Sequence, residues 1–444
     1  MQNQEEITRL ETLIHDLLHE AKQQGASQAA AGLNIDQGLS VNVRLGSVET
    51  IEHHCSQGLG ITVYFGQQKG SASTTDLSEK SLKETVTAAC SIARYASEDP
   101  YAGLPEAKQL ATEFKDLALH HPWQLSADEA ISLAMRCEDS ARQYHTDISN
   151  SEGAAVDSYA GISVFGNSLG FLHGYASTRH SMSCSVLGER DGAMERDYWY
   201  SVARDHHQLE KAELIGQKAA ARTVQRLGAR KISTRKCPVI YSAEIANSLI
   251  GAFINAISGS SLYRKSSFLL DSLETQIFPE FINIYEQPHL PGALGSALYD
   301  SEGVATRATN IISEGVLQSY LLSTYSARKL GLQTTGHAGG VHNLCITSGT
   351  QDLPQLLNTM DTGLFVTELM GQGVNPVTGD YSRGASGFWV EHGEIQFPVQ
   401  EITIAGNLKD MFRKILAVGN DIDYRGNIRT GSILVEEMAI AGTD

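Results

Sequence analysis

The spacing of apolar residues changes near residues 230–237, and that change constrains the fold more than any other feature of this chain. Before it, helical and strand periodicities take turns. Leu10, Ile14, Leu17, Leu18 and Ala21 recur at helical spacing within residues 5–24. Leu39, Val41, Val43 and Leu45 then alternate with polar residues, as a half-buried strand requires, and Ile61–Phe65 reads as a second strand. Leu82, Val86, Ala89 and Ala93 predict a helix over 78–97, which Asp99-Pro100 stops. Residues 105–123 connect to a third helix over 126–143, opened by Ser126 with Glu129 three positions on, a capping-box pattern. Short segments rich in Ser, Gly, Tyr and Val between Ile148 and Ala203 predict β-hairpins, and 208–228 predicts another helix.

After the change the chain is rich in glycine and short strands, among them Val239–Tyr241, Ile282–Tyr285, Gly315–Leu317, Gly387–Val390 and Ile402–Ile404. Helical spacing returns only at about 243–257, 353–360 and 408–417. The expected class is α+β. An N-terminal mixed α/β domain with a β-hairpin middle region would span 1–232, and a large β-rich, barrel-like domain would span 233–444. No internal repeat points to a solenoid.

Composition narrows the partners. Lys and Arg number 34 against 51 Asp and Glu, a net charge of −17. That balance argues against a nucleic-acid binder, whose affinity comes from neutralising phosphates, and against an anionic membrane surface. The N-terminus lacks the basic and apolar regions of a signal peptide, and no stretch approaches the ~20 apolar residues of a membrane span. The six cysteines (Cys55, Cys90, Cys137, Cys184, Cys237, Cys345) are scattered and form no Cys-x-x-Cys pair. A reduced, cytoplasmic protein with buried thiols is expected.

Several motifs invite chemistry. Gly166-Asn-Ser168-Leu-Gly170 fits G-x-S-x-G, but a strand rather than a helix follows, so a hairpin turn is the better reading. His15 and His19 imitate a zincin pair, yet the leucines make the apolar stripe and leave both histidines towards the polar side. His337, His342 and Cys345 form a loose metal-like cluster with no standard zinc spacing. Lys218, Arg222, Arg226, Arg230, Lys231, Arg235 and Lys236 form a basic run, read as a solvated helix face with an acidic protein partner as the alternative. The glycine-dense segment Gly371–Gly387 is followed by a strand, which disfavours phosphate cradling and favours close backbone approach, as by a peptide along a sheet edge.

That segment continues through Gly393–Val399, Ile402–Leu408 and Val418–Asp421, with Asp300–Arg307 upstream. Together these runs resemble the TldD/PmbA family of peptidases, long labelled modulators of DNA gyrase, and within it the PmbA/TldE-type branch. The resemblance covers essentially the whole chain. It implies one subunit of a cytoplasmic, two-subunit metalloprotease that processes microcins and degrades unfolded peptides, including antitoxin fragments. In that family the TldD-type subunit holds the metal, zinc or a similar divalent ion, with a His-Glu-x-x-x-His helix and a later cysteine. Here the corresponding helix reads Gly251-Ala-Phe-Ile-Asn-Ala-Ile-Ser-Gly-Ser-Ser261, and Cys345 is the last cysteine. No family metal ligand carries over, so no cofactor is expected in this chain and no catalytic residue is assigned. Expected partners are a TldD-like subunit, a peptide substrate and, in isolation, a second copy. Asp380, Tyr381, Ser382, Arg383 and Gly384 are the candidate substrate-facing loop or strand edge, with Arg383 as a fork donor to a peptide carboxylate.

Overall fold

The computed structural model describes residues 2–442. The first half forms α1 (Gln2–Gln23), β1 (Gln28–Arg44), β2 (Ser47–Phe65), β3 (Gln68–Thr74), α2 (Glu79–Tyr95), α3 (Ala127–Arg142), β4 (Ile148–Asn167), β5 (Leu172–Arg190), β6 (Ala193–Ala203) and α4 (Ala212–Arg226). All six strands join one antiparallel sheet in the order β3-β2-β1-β4-β5-β6. The segments expected as short hairpins are long strands: β4 has 20 residues and β5 has 19. Their length follows from unbroken alternation, which bulges near Ile148 and Ser151 interrupt but do not end.

One face of this sheet is covered by helices. Ala29, Ala31 and Leu33 of β1 pack with Leu10, Ile14 and Leu17 of α1 and with Leu82, Val86 and Ala89 of α2. Leu39, Val41 and Val43, further along the same face, pack with Ala130, Ala134 and Cys137 of α3 and with Ile215 and Ala219 of α4. The period-2 pattern of β1 thus feeds two successive cores. The hairpin between β1 and β2 is held by a buried carboxylate. Glu138 of α3 accepts the backbone N–H groups of Leu45 and Gly46 at 2.7 and 2.8 Å. Ser126 and Glu129 form the expected capping box on α3.

The second half contains β7 (Arg235–Tyr241), α5 (Ala243–Ala256), α6 (Gly259–Tyr263), β8 (Ile284–Glu286), β9 (Thr309–Ser313), β10 (Val316–Leu317), α7 (Thr324–Leu330), β11 (Leu344–Ile346), α8 (Leu353–Met360), β12 (Gly363–Met370), β13 (Asp380–Glu391), β14 (Glu394–Asn407), α9 (Leu408–Arg413), β15 (Ile415–Val418), β16 (Ile428–Arg429) and β17 (Ile433–Ala441). A mixed sheet runs β14-β13-β12-β7-β17-β15, and a further pairing of β14 with β17 closes the barrel. A smaller sheet runs β10-β9-β8-β11-β16 beside it. The fold is α+β, with the closed barrel in the second half.

Alternation again sorts the barrel's faces. Val239 and Tyr241 of β7 share a core with Leu249 and Phe253 of α5, Phe278 and Phe412, whereas Ile240 packs with Leu356, Leu357 and Met360 of α8. Phe253, Phe278 and Phe412 meet at ring-centroid distances of 4.9–6.0 Å. Two helices, α6 and α7, were not expected; each is too short to show helical periodicity. The helix expected over 408–417 ends at Arg413, because Ile415–Val418 pairs with β17 as a strand. Among the described residues no helix is long and apolar enough to cross a membrane.

Candidate functional site

A cleft of about 940 Å³ lies where the helix-free face of the first sheet meets the second half. Ala30, Gly32 and Asn34 of β1 stand opposite Thr62, Gly60 and Gly58 of β2 on its floor. A Cβ on Gly58 or Gly60 would meet nothing within 4 Å, so this part of the floor is bare backbone facing open space. Ser73, Thr74 and Lys69 come from the edge strand β3, and Gly103–Pro105, Ser301 and Glu302 complete the lining. Glu302 is oriented by the Thr324 backbone N–H, which donates to its Oε2 at 2.8 Å. Burial, then the charge of Glu302, pushes the Tyr64 phenol up to about 12, so it stays a neutral hydrogen-bonding group. This lining can hold an extended polar segment through hydroxyls, backbone and one charge of each sign. Sequence reasoning missed it, because its residues are small, common and unremarkable in spacing.

The expected substrate-facing loop, Asp380–Gly384, is corrected. These residues begin β13, an interior strand rather than a loop or a free edge. On one side Asp380, Tyr381, Ser382, Arg383 and Gly384 pair with β14. On the other, the Ser382 N–H donates to the Gly373 carbonyl at 2.7 Å and the Asn375 N–H donates to the Asp380 carbonyl at 2.8 Å. Tyr381 is buried in the barrel core. Close backbone approach does occur in the glycine-dense segment, but the approaching strand is the chain's own. A Cβ on Gly373 would sit 1.6 Å from the Ser382 carbonyl oxygen, and one on Gly387 would sit 2.0 Å from that of Phe365.

The basic run is corrected in part: Arg222 and Arg226 are partly buried in ion pairs, whereas Arg230, Lys231, Arg235 and Lys236 stay exposed. Arg226 is 14% exposed and meets Glu195, Asp197 and Glu368, the last at 2.5 Å. Arg222 meets Asp197 and Glu244 at 3.3 and 3.4 Å. Lys218 pairs with Glu210, Lys231 with Glu401 and Lys236 with Glu437. Arg230 and Arg235 lie over the rings of Phe397 and Trp389. Arg425, over Trp199 and Tyr200, extends the cluster from the second half. These contacts tie α4 and β6 of the first half to α5 and β12 of the second. Burial holds the Glu195 carboxyl above its ordinary range, which marks how dry the joint is.

His337, His342 and Cys345 come near one another without forming a ligand set. His337 Nε2 meets Glu286 Oε2 at 2.6 Å, and its Nδ1 meets Thr335 Oγ1 at 2.8 Å. The His337 and Glu286 side chains are each 2% exposed. The other Glu286 oxygen accepts the His342 backbone N–H at 2.6 Å. Glu286 therefore fastens β8 to the loop entering β11, with its oxygens already engaged. Burial keeps the His342 imidazole below its ordinary range and pushes the Cys345 thiol up. Cys345 Sγ–H points back at the Asn343 carbonyl, 3.5 Å away. Glu286 was missed in the sequence because it stands far along the chain from its partners.

Ser168 lies in the tight turn joining β4 to β5, and its Oγ accepts the Ala29 N–H at 3.0 Å, as a hairpin turn would have it. His15 and His19 lie on the exposed side of α1. The helix marked by the resemblance for metal ligands is α5 with its continuation into α6. Its polar groups are neutral: Ser261 Oγ donates to Asn255 Oδ1 at 3.3 Å, and Ser258 Oγ lies 3.1 Å from Ser261 Oγ and 3.2 Å from Ser260 Oγ. Hydroxyls and an amide do not match the imidazole, thiolate and carboxylate donors that hold zinc. Among the described residues, the group of three potential ligands with atoms within 4.8 Å of one another is Asp205, His206 and His207.

Comparison with known proteins covers nearly all of this architecture. Family models described as PmbA/TldA metallopeptidase domain 1, central domain and C-terminal domain match residues 31–93, 120–227 and 234–442. The chain is 55% identical over 405 residues to Metalloprotease PmbA of Escherichia coli O157:H7, covering 91% of this chain and 90% of that protein. It is 49% identical to the Metalloprotease PmbA homolog of Haemophilus influenzae, covering 95% and 94%. A Bacteroides thetaiotaomicron protein, solved as a candidate modulator of DNA gyrase, superposes with a TM-score of 0.92 at 28% identity, over 97% of this chain and 98% of that one. TldE from Thermococcus kodakarensis, at 21% identity and a TM-score of 0.83 over 97% and 100%, shares the fold. With matching models along both halves and a relative this similar across nine-tenths of the chain, the protein belongs to the PmbA/TldA metallopeptidase family.

Proposed function

We propose that this chain is the TldE-type subunit of a cytoplasmic two-subunit metallopeptidase and that it binds peptide while a TldD-like partner supplies the metal. The observation that carries this reading is the Asn255–Ser258–Ser261 corner. It offers hydroxyls and an amide where metal-assisted hydrolysis needs charged or imidazole ligands. The polar cleft on the first sheet gives the subunit a role of its own, because a flat, glycine-floored groove beside an edge strand accommodates an extended peptide. Unfolded peptides, including microcin precursors and antitoxin fragments, are the substrate class the resemblance suggests. In isolation the chain would pair with itself. The division into units at 1–232 and 233–444 belongs to the same proposal.

The test is cleavage of an unstructured peptide by this chain, by a TldD-like partner and by their mixture. Activity is expected in the mixture alone. Full activity of this chain by itself, abolished by a chelator, would overturn the proposal.

A further inference from the structure

Asp205, His206 and His207 follow β6 directly, and their donor atoms converge without any role in the cleft. Asp205 Oδ1 lies 2.9 Å from His207 Nδ1 and 3.8 Å from His206 Nδ1. The other Asp205 oxygen lies 3.9 Å from Nδ1 of His121, which comes from the stretch connecting α2 to α3. One donor atom each of Asp205, His206 and His207 lies within 4.8 Å of the others, with His121 just outside this set; tetrahedral zinc, with bonds of about 2.0–2.1 Å, spaces its ligand atoms about 3.3 Å apart, so the side chains would draw in around an ion.

His121 Nε2 lies 2.9 Å from the Ala118 carbonyl oxygen, which only accepts, so Nε2 donates there and Nδ1 is the nitrogen on the Asp205 side. His206 Nδ1 is buried and has no hydrogen-bond partner among the described residues. Its ring is stacked on Trp123 at 4.8 Å, which fixes where that nitrogen points.

We propose that Asp205, His206 and His207, with His121 as a fourth donor, form a binding site for a first-row divalent cation such as Zn²⁺. Three imidazole nitrogens and one carboxylate oxygen suit zinc and its nitrogen-preferring neighbours rather than Ca²⁺ or Mg²⁺. The ion pins the connecting stretch to the sheet beside Arg204, whose guanidinium donates to the carbonyls of Ala293 and Leu294 in the second half. The site is thus a fastener at the joint between halves. It does not depend on the subunit assignment.

The test uses the full-length chain, stripped with a chelator and titrated with Zn²⁺ by calorimetry, with Co²⁺ absorption as a second probe. One equivalent should bind, raise the thermal midpoint and, with Co²⁺, give the intense visible bands of a four-coordinate site. H207A alters an exposed side chain and should weaken binding about tenfold or more, and H121A should do the same. H15A/H19A removes the rival histidine pair on α1 and should leave binding unchanged. The proposal falls if no stoichiometric ion binds, if H207A and H121A both bind as wild type does, or if H15A/H19A abolishes binding.

Discussion

The two halves of this chain solve the same problem differently. Both are built on sheets, and a sheet must end somewhere or close on itself. The first half takes its strands nearly in chain order, leaves β3 and β6 as open edges and covers one face with helices. Beyond Gln57 towards Ser47, β2 has no outer neighbour, since β3 stops at Thr74 opposite Leu59. The second half joins β7 to β12 and β17, strands far apart along the chain, and closes through β14 and β17. Neighbours in sequence make an open platform; distant ones make a closed core. An edge strand is where an extended ligand finds backbone hydrogen bonds, and the cleft of about 940 Å³ lies on the open half beside one.

The contrast can be broken most severely at the joint. Arg226→Ala leaves Glu195 and Asp197, 8% and 6% exposed, without their shared cation. The expected loss is about 3–5 kcal/mol. Trp123 and Trp199 report the first half and Trp389 the barrel, and the variant is expected to separate their denaturation transitions. A loss below about 1 kcal/mol with coincident transitions would mean that the joint is not held by this network.

The next effect is a pH dependence in the second half. Burial raises the Asp300 carboxyl from its ordinary 3.8 to about 6, against the opposing N–H donors of Ala338, Glu302 and Val304. The folded protein then holds this proton more tightly than the unfolded chain does. The stability it contributes is present below pH 4 and is lost as pH rises towards 6 and beyond. Measured by denaturant melts against Asp300→Asn, the wild type should lose about 2.5 kcal/mol between pH 4 and 7. A difference that stays flat across that range would contradict the assignment.

The smallest effect belongs to the first half alone. Ser126→Ala removes the Oγ that accepts the Glu129 N–H and should cost about 1 kcal/mol. Unlike the joint variant, it should lower both tryptophan transitions together. Separation of the transitions would show that α3 stabilises only its own sheet.

How much of this was legible follows from distance along the chain. The α1, α2 and α3 helices and the Ser126 box are local, so periodicity and capping announce them. Barrel closure is not local, and a strand reads the same whether its edge is free or taken. That is why Asp380–Gly384 read as a candidate edge: its outer neighbour, Gly373–Asn375, carries no strand pattern. The basic run read as open because Arg226 finds Glu368 142 residues away. The His337 cluster read as metal-like because Glu286, 51 residues upstream, is invisible to spacing. Asp205-His206-His207 is contiguous and was passed over, since its meaning depends on where His121 and Trp123 lie.

One strand sets the order in which this protein is assembled. β17, Ile433–Ala441, pairs with β7, β14 and β15. Every strand of the first sheet and the helices that cover it have been made once Arg226 has, before any strand of the barrel. The barrel waits for its last strand. Until then β7 and β14 keep unpaired backbone N–H and C=O groups along the edges that β17 will take, and a ribosome that stalls before Ile433 releases a chain whose back half carries free strand edges open to pairing with another chain.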